Sequence, residues 1–221
     1  ILDAQSKQKF CLDTRHKISI DRLSMQKLET EMSEKIETTL TGLRSRNISA
    51  VYVQNSEEAK KKINALIPSG SVVGIGDSTT VAQIGVKEEL KRMGVAVLDG
   101  FDRKRIYRSA EDSQKSHDAL VRESTMCDVF LTGTNAVTQD GRLVNVDAAG
   151  NRVAGMFWGH PITIIAVGRN KIVKNLDEAF HRIRKIIAPN HIRIRAAELG
   201  GRRVETPCVI TGECSDCRAK D

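Results

Sequence analysis

Aromatic residues are scarce in this sequence, with five Phe, two Tyr and one Trp among 221 residues. They are not interleaved with the basic residues, as a stacking surface for nucleic acid requires. We therefore expect no nucleic-acid binding, although the net charge of +7 is compatible with an anionic ligand. The longest apolar run, residues 162–167, is far shorter than the roughly 20 residues that cross a bilayer, so we expect no membrane span.

A secretory signal is also not expected, because residues 1–10 are polar and lack an apolar centre. The five cysteines are an odd number, two isolated and three clustered near the end of the chain. Without a signal this usage indicates a reduced, cytoplasmic protein. Hydrophobic residues make up 40% of the chain, so it should bury a core.

Strand and helix patterns alternate along most of the chain. Helical periodicity covers residues 19–45, and Asn55 or Ser56 can cap a second helix that ends near Pro68. Apolar runs predict strands at 48–53, 71–76, 95–98, 128–131 and 162–167, and helices are expected at 80–93, 110–125 and 176–187, the last stopping before Pro189. The alternation predicts an α/β fold with a mostly parallel sheet and helices on both faces.

We divide the chain into an N-terminal helical segment (1–45), an α/β domain (46–205) and a small Cys-rich tail (206–221). Within the domain, Asp140-Gly141 predicts a hairpin turn between 136–137 and 143–146.

A glycine turn after the first core strand is a candidate anion site. The backbone N–H groups at such a strand–helix junction are unpaired, and glycine lets a ligand approach closely. The candidate ligand-binding residues here are Gly74, Gly76, Asp77, Ser78, Thr79 and Thr80. The alternative is a tight turn with Asp77 or Ser78 as an N-cap. The segment is neither a Walker A loop nor the dinucleotide G-x-G-x-x-G.

A second polar turn, Thr132-Gly-Thr-Asn135, follows another predicted strand. In a parallel sheet both turns lie at the same edge, where open α/β sheets bind ligands. We therefore predict one pocket enclosed by Thr132, Gly133, Thr134, Asn135 and the glycine turn, holding a small anion. Lys171 is a further candidate anion contact, or else a solvated loop residue.

Two aspartates are candidate catalytic residues. Asp140 is one, with a turn-forming role as the alternative, because Asp-Gly is first of all a turn former. Asp147 is a second, either paired structurally with Arg152 or acting as an acid or base held by it. His160 either faces the pocket or is structural.

Cys208, Cys214 and Cys217 form a C-x5-C-x2-C cluster. Thiolates at this spacing suit zinc or an iron–sulfur cluster, with Cys11, His16 or an open position completing the site. The alternatives are a Cys214–Cys217 redox pair or inert thiols. A basic stretch over 182–203, which includes Arg182, would balance thiolate charge, receive an anionic partner or form a solvated face.

These motifs resemble the lactate-utilisation (LUD) domain family over about residues 20–217. The resemblance rests on 74–80 (GIGDSTT), 132–141 (TGTNAVTQDG), 150–154 (GNRVA) and 168–173 (GRNKIV). It implies the NagB/RpiA/CoA transferase-like fold, shared by ribose-5-phosphate isomerase and CoA transferases. It also implies lactate oxidation to pyruvate alongside iron–sulfur oxidoreductase subunits.

Two functions follow as expectations. The first is an accessory or anionic-ligand-binding subunit in lactate or organic-acid utilisation, with a metal or iron–sulfur site at the three clustered cysteines. The second is a stand-alone enzyme acting on a phosphorylated or CoA-linked substrate. Against it, Asn135 stands where related isomerases carry Asp, and residues 124–177 contain no Glu as a nucleophile. A scaffold role for helix 20–45 and a homo-oligomer are also left open.

Overall fold

The main sheet has four parallel strands, β1 (Val72–Ile75), β2 (Ala96–Leu98), β3 (Val129–Gly133) and β6 (Ile162–Ala166). They lie in the order β2-β1-β3-β6. A computed structural model describes residues 22–101, 119–198 and 206–215. The predicted α/β fold with a parallel sheet is confirmed. The predicted helix 110–125 is described only from residue 119, and residues 19–21 lie outside the described ranges.

Helices cover both faces of this sheet. On one face α2 (Ser56–Leu66), α3 (Thr79–Ile84) and α4 (Val86–Arg92) pack on alternate strand residues such as Val73 and Leu131. On the other face lie α5 (119–124) and α6 (Asn151–Phe157), where Gly155 abuts the ring of Phe130. Asn55 caps α2 as predicted, since its side chain accepts from the N–H of Glu58 at 2.9 Å.

A smaller sheet continues from the carboxyl ends of two main strands. Its order is β5-β4-β7, with β4 (Ala136–Thr138) antiparallel to β5 (Leu143–Val144) and parallel to β7 (Ile172–Val173). Strand β4 follows β3 after two residues, and β7 follows β6 after a 3-10 turn at Arg169–Lys171. The predicted hairpin at Asp140-Gly141 is confirmed, with Gly141 at φ +84°. Residues 134–135 and 167–171 therefore lie where the chain passes between the sheets.

Helix α1 (Arg22–Ser45) packs on this smaller sheet, with Ile36, Leu40 and Leu43 in one cluster with Val137 and Ile172. The extended run after α1 packs its alternate residues Ile48, Ala50 and Tyr52 against the same cluster. It forms no strand, apart from a single bridge at residue 53. The predicted strand at 48–53 is therefore wrong. Alternate side chains of the run are packed, as in a strand, but its backbone forms no ladder of hydrogen bonds with a neighbouring strand.

Two predicted helices differ from the structure. The helix expected at 80–93 is broken at Gly85, whose φ of +72° ends α3 in a left-handed cap. The helix expected to stop before Pro189 continues instead: α7 (Leu176–Arg182) runs through a π turn (Ile183–Ile187) into α8 (Ala188–Glu198). The π turn is what accommodates the proline, since the N–H of Ala188 already bonds to Ile183, five residues back. The α6 helix was not predicted.

Candidate functional site

The two polar turns singled out in the sequence lie side by side at the carboxyl ends of β1 and β3. The N–H of Gly76 donates to the carbonyl of Leu131 at 3.0 Å. A Cβ added to Gly76 would lie 2.5 Å from the Thr132 hydroxyl, and one added to Gly133 would overlap the Ser78 hydroxyl. These contacts bring residues 76–78 and 132–133 together, as adjacent parallel strands require.

The space around the glycine turn is occupied largely by other groups of the protein. Ser78 is the N-cap of α3 and accepts from the N–H of Val81 at 3.3 Å, which agrees with the cap interpretation. The space beside Gly74 is occupied by the Ser124 carbonyl and the Cys127 thiol. Thr80 is buried, Asp77 and Ser78 are half-buried, and Thr79 is exposed. The buried Thr132 hydroxyl has no hydrogen-bond partner among the described residues.

Arg152 is the hub of the second turn. Its side chain is only 9% exposed and pairs with Asp147 through Nη2 at 2.7 Å and Nε at 2.9 Å. The same guanidinium donates to the Gly133 carbonyl at 3.2 Å. The second oxygen of Asp147 accepts from the N–H of Val153 at 2.7 Å, in the first turn of α6. The pairing expected for Asp147 and Arg152 is therefore present, and both oxygens of Asp147 are engaged.

Two asparagine side chains fix the turn to the hairpin. The Asn145 oxygen accepts from the Asn135 N–H and from the Thr134 hydroxyl, each at 3.1 Å, and from Arg152 at 2.9 Å. The Asn135 oxygen accepts from the N–H of Val146 at 2.9 Å and from Arg152 at 3.0 Å. Because backbone N–H groups can only donate, these bonds orient both amides with their oxygens inward.

Two further cations reach the same turn from different elements. Lys171, in the 3-10 turn before β7, donates from Nζ to the Thr134 carbonyl at 2.9 Å. Arg182, in the last turn of α7, donates from Nε to the next carbonyl, that of Asn135, at 3.3 Å. Both side chains are partly buried. The predicted residues Thr132–Asn135 and Lys171 are thus brought together.

The charges of this cluster are unbalanced. Burial lowers the pKa of Lys171 to about 8, with the positive charges of Arg182 and Arg152 as further causes. Burial also lowers the pKa of Arg182. Neither side chain makes an ion pair with a carboxylate in the part of the chain that the structure describes. Asp147 balances Arg152 alone, so the cluster carries an excess of positive charge.

The spare donors of the cluster indicate what it can bind. Lys171 uses one of its three N–H groups in a bond to the protein, and Arg182 uses its Nε group. The remaining N–H groups have no acceptor among the described residues. Partly desolvated cations with free donors suit a carboxylate or phosphate ligand, whose oxygens accept charge-assisted hydrogen bonds.

The other candidates lie elsewhere. Asp140 is half-exposed in the hairpin and pairs with Arg46 at 3.2 Å and Arg142 at 2.9 Å. A hydrogen bond from Thr138, followed by the two arginine charges, lowers the Asp140 pKa. His160 lies before β6, stacked on Phe130, with Nδ1 2.7 Å from the Cys127 carbonyl. Neither residue bonds to the 132–135 turn, so neither Asp140 nor His160 belongs to the cluster around Arg152.

The tail over residues 206–215 packs on α8, which continues through the π turn from the helix that carries Arg182. Its short helix α9 (Pro207–Thr211) lies against α8. Cys208 is buried, with its sulfur 3.2 Å from the Thr206 hydroxyl, and Cys214 is half-buried. The described residues contain no group of three metal-binding side chains. Cys217, Cys11 and His16 lie outside the described ranges.

Two arginines have a larger role in the cluster than the sequence indicates. In the sequence, Arg152 stands out only as a partner for Asp147, and Arg182 only as part of a basic stretch. Arg182 is 47 residues from Asn135 in the chain, so no local spacing signals their contact. For Arg152, the nearby Asn135, Asn145 and Asp147 are the signal that could have indicated a shared network.

Comparison with known proteins gives one match. The family model described as the LUD domain matches residues 36–218, most of the chain. Neither the curated proteins nor the solved structures contain a significant match. Among the described residues, no helix combines the length and the apolar character that a membrane crossing requires.

Proposed function

The chain belongs to the LUD domain family and is thus a lactate-utilisation-related protein, and we propose that it binds a small anion at the turn after β3. The cationic site, as we call it, consists of Lys171, Arg182 and the turn Thr132–Asn135, supported by Arg152. The ligand is a carboxylate or phosphate group, and the ligand-binding role is that of an accessory subunit.

One observation carries this proposal: two partly buried cations converge on adjacent carbonyls, at Thr134 and Asn135, and no described carboxylate balances them. Burying an uncompensated charge is costly, as the lowered pKa of Lys171 shows. An anion placed against the free N–H groups would remove that cost. The preorganised network of Arg152, Asn135 and Asn145 would hold the turn in place while it binds.

Calorimetric titration tests this function directly. Lactate, pyruvate, phosphate and a CoA ester are titrated at constant ionic strength into the wild type and into Lys171→Met. We expect at least one anion to bind the wild type and to bind the variant much more weakly. Lys174→Met is the matched control, because Lys174 is exposed and three residues away. Absence of binding by every anion, or equal loss in both variants, would contradict the proposal.

A stand-alone enzyme is not favoured. Asp147 is the carboxylate of the arginine network, and its two oxygens are already engaged by Arg152 and by the N–H of Val153. A general base needs an oxygen that can reach a substrate proton. Asp140 pairs with Arg46 and Arg142 in the hairpin. Anion binding is therefore the function that these residues support best.

We further propose that the tail binds zinc or an iron–sulfur cluster through Cys208, Cys214 and Cys217. The support is the spacing of three thiols in ten residues and the docking of the tail, which holds Cys208 and Cys214 at the two ends of one short segment. Soft thiolates suit both kinds of site. When bound, the metal would crosslink the tail, and a cluster would also supply electron transfer.

Metal analysis tests this second site. The protein is purified anaerobically, and iron, zinc and acid-labile sulfide are measured in the wild type and in Cys214→Ser. We expect one metal or cluster per chain in the wild type and loss in the variant. Cys127→Ser is the control, because Cys127 bonds to backbone groups of Gly74, Ser124 and Val129. A metal-free wild-type protein would contradict the site, and an iron–sulfur result would support pairing with an oxidoreductase subunit.

A further inference from the structure

Among the residues of the cationic site, two positive charges stay uncompensated once Asp147 is assigned to Arg152. Lys171 approaches the turn from the 3-10 turn before β7 and Arg182 approaches it from α7, and each donates a single N–H group to a backbone carbonyl. A singly charged carboxylate would balance one of them and leave the other partly buried and unpaired. A doubly charged group would balance both.

We propose, on the basis of the proposed function, that the cationic site selects a compact dianion, of which a phosphoryl group is the biological form, over a singly charged carboxylate such as lactate. The ligand's oxygens accept from the free N–H groups of Lys171 and Arg182. Arg182 offers a planar fork and Lys171 a point charge, a combination that suits the several oxygens of a phosphoryl group.

The arrangement around the cations supports this selectivity. Arg152, paired with Asp147, donates to the Gly133 carbonyl of the same turn, and its positive charge contributes to the lowered pKa of Lys171. The amide oxygens of Asn135 and Asn145 are held inward by backbone and guanidinium donors. Neither amide oxygen is therefore presented to a ligand, where it would repel an anion.

Small probe ions can separate charge from shape. Sulfate, methyl phosphate, acetate and lactate are titrated into the wild-type protein at pH 7.5 and constant ionic strength. We expect sulfate and methyl phosphate to bind at least about tenfold more tightly than acetate and lactate, a difference of about 1.4 kcal/mol, because only a dianion pairs with both cations. Equal affinities for all four ions would overturn the dianion proposal but leave anion binding intact. Absence of binding by any ion would overturn both.

The pH dependence provides an independent test on the unmodified protein. A phosphate monoester gains its second charge at a pKa of about 6, whereas sulfate is doubly charged throughout. Methyl phosphate should therefore bind more tightly at pH 7 than at pH 5.5, while the affinity for sulfate should not increase over this range. The protein groups at the site, namely Lys171, Arg182 and the exposed His181 beside it, are the same in both titrations, so the difference between the two profiles reports the second charge of methyl phosphate. Parallel profiles for the two ions would overturn the proposal.

Variants then show which residues set the selectivity. The measured quantity is the ratio of sulfate to acetate affinity, which a merely structural role would leave unchanged. Lys171→Met and Arg182→Gln should each lower this ratio at least about fivefold, and Lys174→Met should keep it. If Lys171→Met does not fold, Arg182→Gln alone decides, because Arg182 is on the helix surface and half-buried. An unchanged ratio in a folded variant would overturn the assignment.

Discussion

Lys171 donates from its Nζ to the carbonyl of Thr134 at 2.9 Å, and this bond joins the passage from β6 to β7 with the passage from β3 to β4. Neither carbonyl nor amine belongs to a strand ladder at this point. The lysine thus supplies a hydrogen bond to a backbone carbonyl that lies between the two sheets. The lysine side chain itself is partly removed from solvent. Its charge is stabilised by one carbonyl and opposed by two arginines, Arg182 and Arg152.

Stability should depend on pH through this lysine. The folded-state pKa of Lys171 is about 8, below its ordinary value of 10.5. Between these values the unfolded chain keeps a proton that the folded protein has released, so the free energy of unfolding rises with pH. We expect the stability of the wild type relative to Lys171→Met to increase from pH 8 to pH 10, measured by urea unfolding.

The comparison needs a nearby lysine whose side chain is exposed to solvent. Lys174→Met serves for this, and the stability difference between it and the wild type should stay constant over the same pH range. The charged groups around Lys171 are Arg182 and Arg152, with Asp147 bound to the latter. A flat difference for Lys171→Met would show that its pKa is ordinary.

Removing Arg152 should be the most destabilising single change at the site. Arg152→Met leaves the carboxylate of Asp147, only 11% exposed, without its cation. It also removes the donor to the Gly133 carbonyl and to both asparagine oxygens. Breaking a buried pair in this way costs about 3–5 kcal/mol. Urea unfolding of the wild type and the variant measures the loss.

A double-mutant cycle separates the pair from the rest of the network. Asp147→Asn combined with Arg152→Met removes the unpaired carboxylate, so the double variant should lose less stability than the two single variants together. Strictly additive losses would mean that the charges of Arg152 and Asp147 do not interact. The hydrogen bonds to Asn135 and Asn145 would then account for the effect of Arg152.

Adding a side chain at Gly76 should destabilise the protein. A Cβ there would lie 2.5 Å from the Thr132 hydroxyl and 2.9 Å from the ring of Phe130. We expect Gly76→Ala to cost about 1–3 kcal/mol of stability through overpacking. Gly159→Ala is the control, since nothing lies within 4 Å of its Cβ position, and it should change stability by less than about 0.5 kcal/mol. Equal stabilities for the two variants would show that the turns are further apart.

Much of the main sheet could be predicted from periodicity, because residues such as Val73, Val129 and Leu131 are buried in continuous apolar strands. The meeting of the turns at Gly76 and Thr132 also follows, since adjacent parallel strands end at one edge. The run at 48–53 has the same composition as a strand and was mispredicted. Its alternate residues pack against the hydrophobic cluster between α1 and the smaller sheet. Only the tertiary fold decides whether a second strand lies beside the run to form hydrogen bonds with it.

The cationic site was predictable in part. The turn Thr132–Asn135 and Lys171 carry recognisable local signals, namely a polar segment after a strand and a lysine in a loop. The contribution of Arg182 depends on where α7 lies relative to β4, a tertiary relationship without a spacing signal. The helix around Pro189 was mispredicted for a related reason: a proline normally ends a helix, and its tolerance here involves a π turn and a segment 25 residues away.

Pro189 should control how the tail is attached. In the register of the π turn, the N–H that position 189 lacks would bond to the Arg184 carbonyl, and the N–H of Cys214 donates to that carbonyl instead, at 2.9 Å. Pro189→Ala supplies a competing N–H. We expect the amide of Cys214 to exchange with solvent about fivefold faster, the equivalent of one net hydrogen bond of about 1 kcal/mol. Hydrogen exchange followed by NMR measures it.

The tail contains its own controls for this experiment. The N–H of Val209 bonds to the Thr206 carbonyl and that of Gly212 to the Cys208 carbonyl, both within the segment. These amides should keep their exchange rates if Pro189→Ala acts only at Arg184. Faster exchange at all three would indicate that the whole tail has loosened through lost packing of the buried proline. An unchanged rate at Cys214 would mean that the proline gap does not determine where the tail docks.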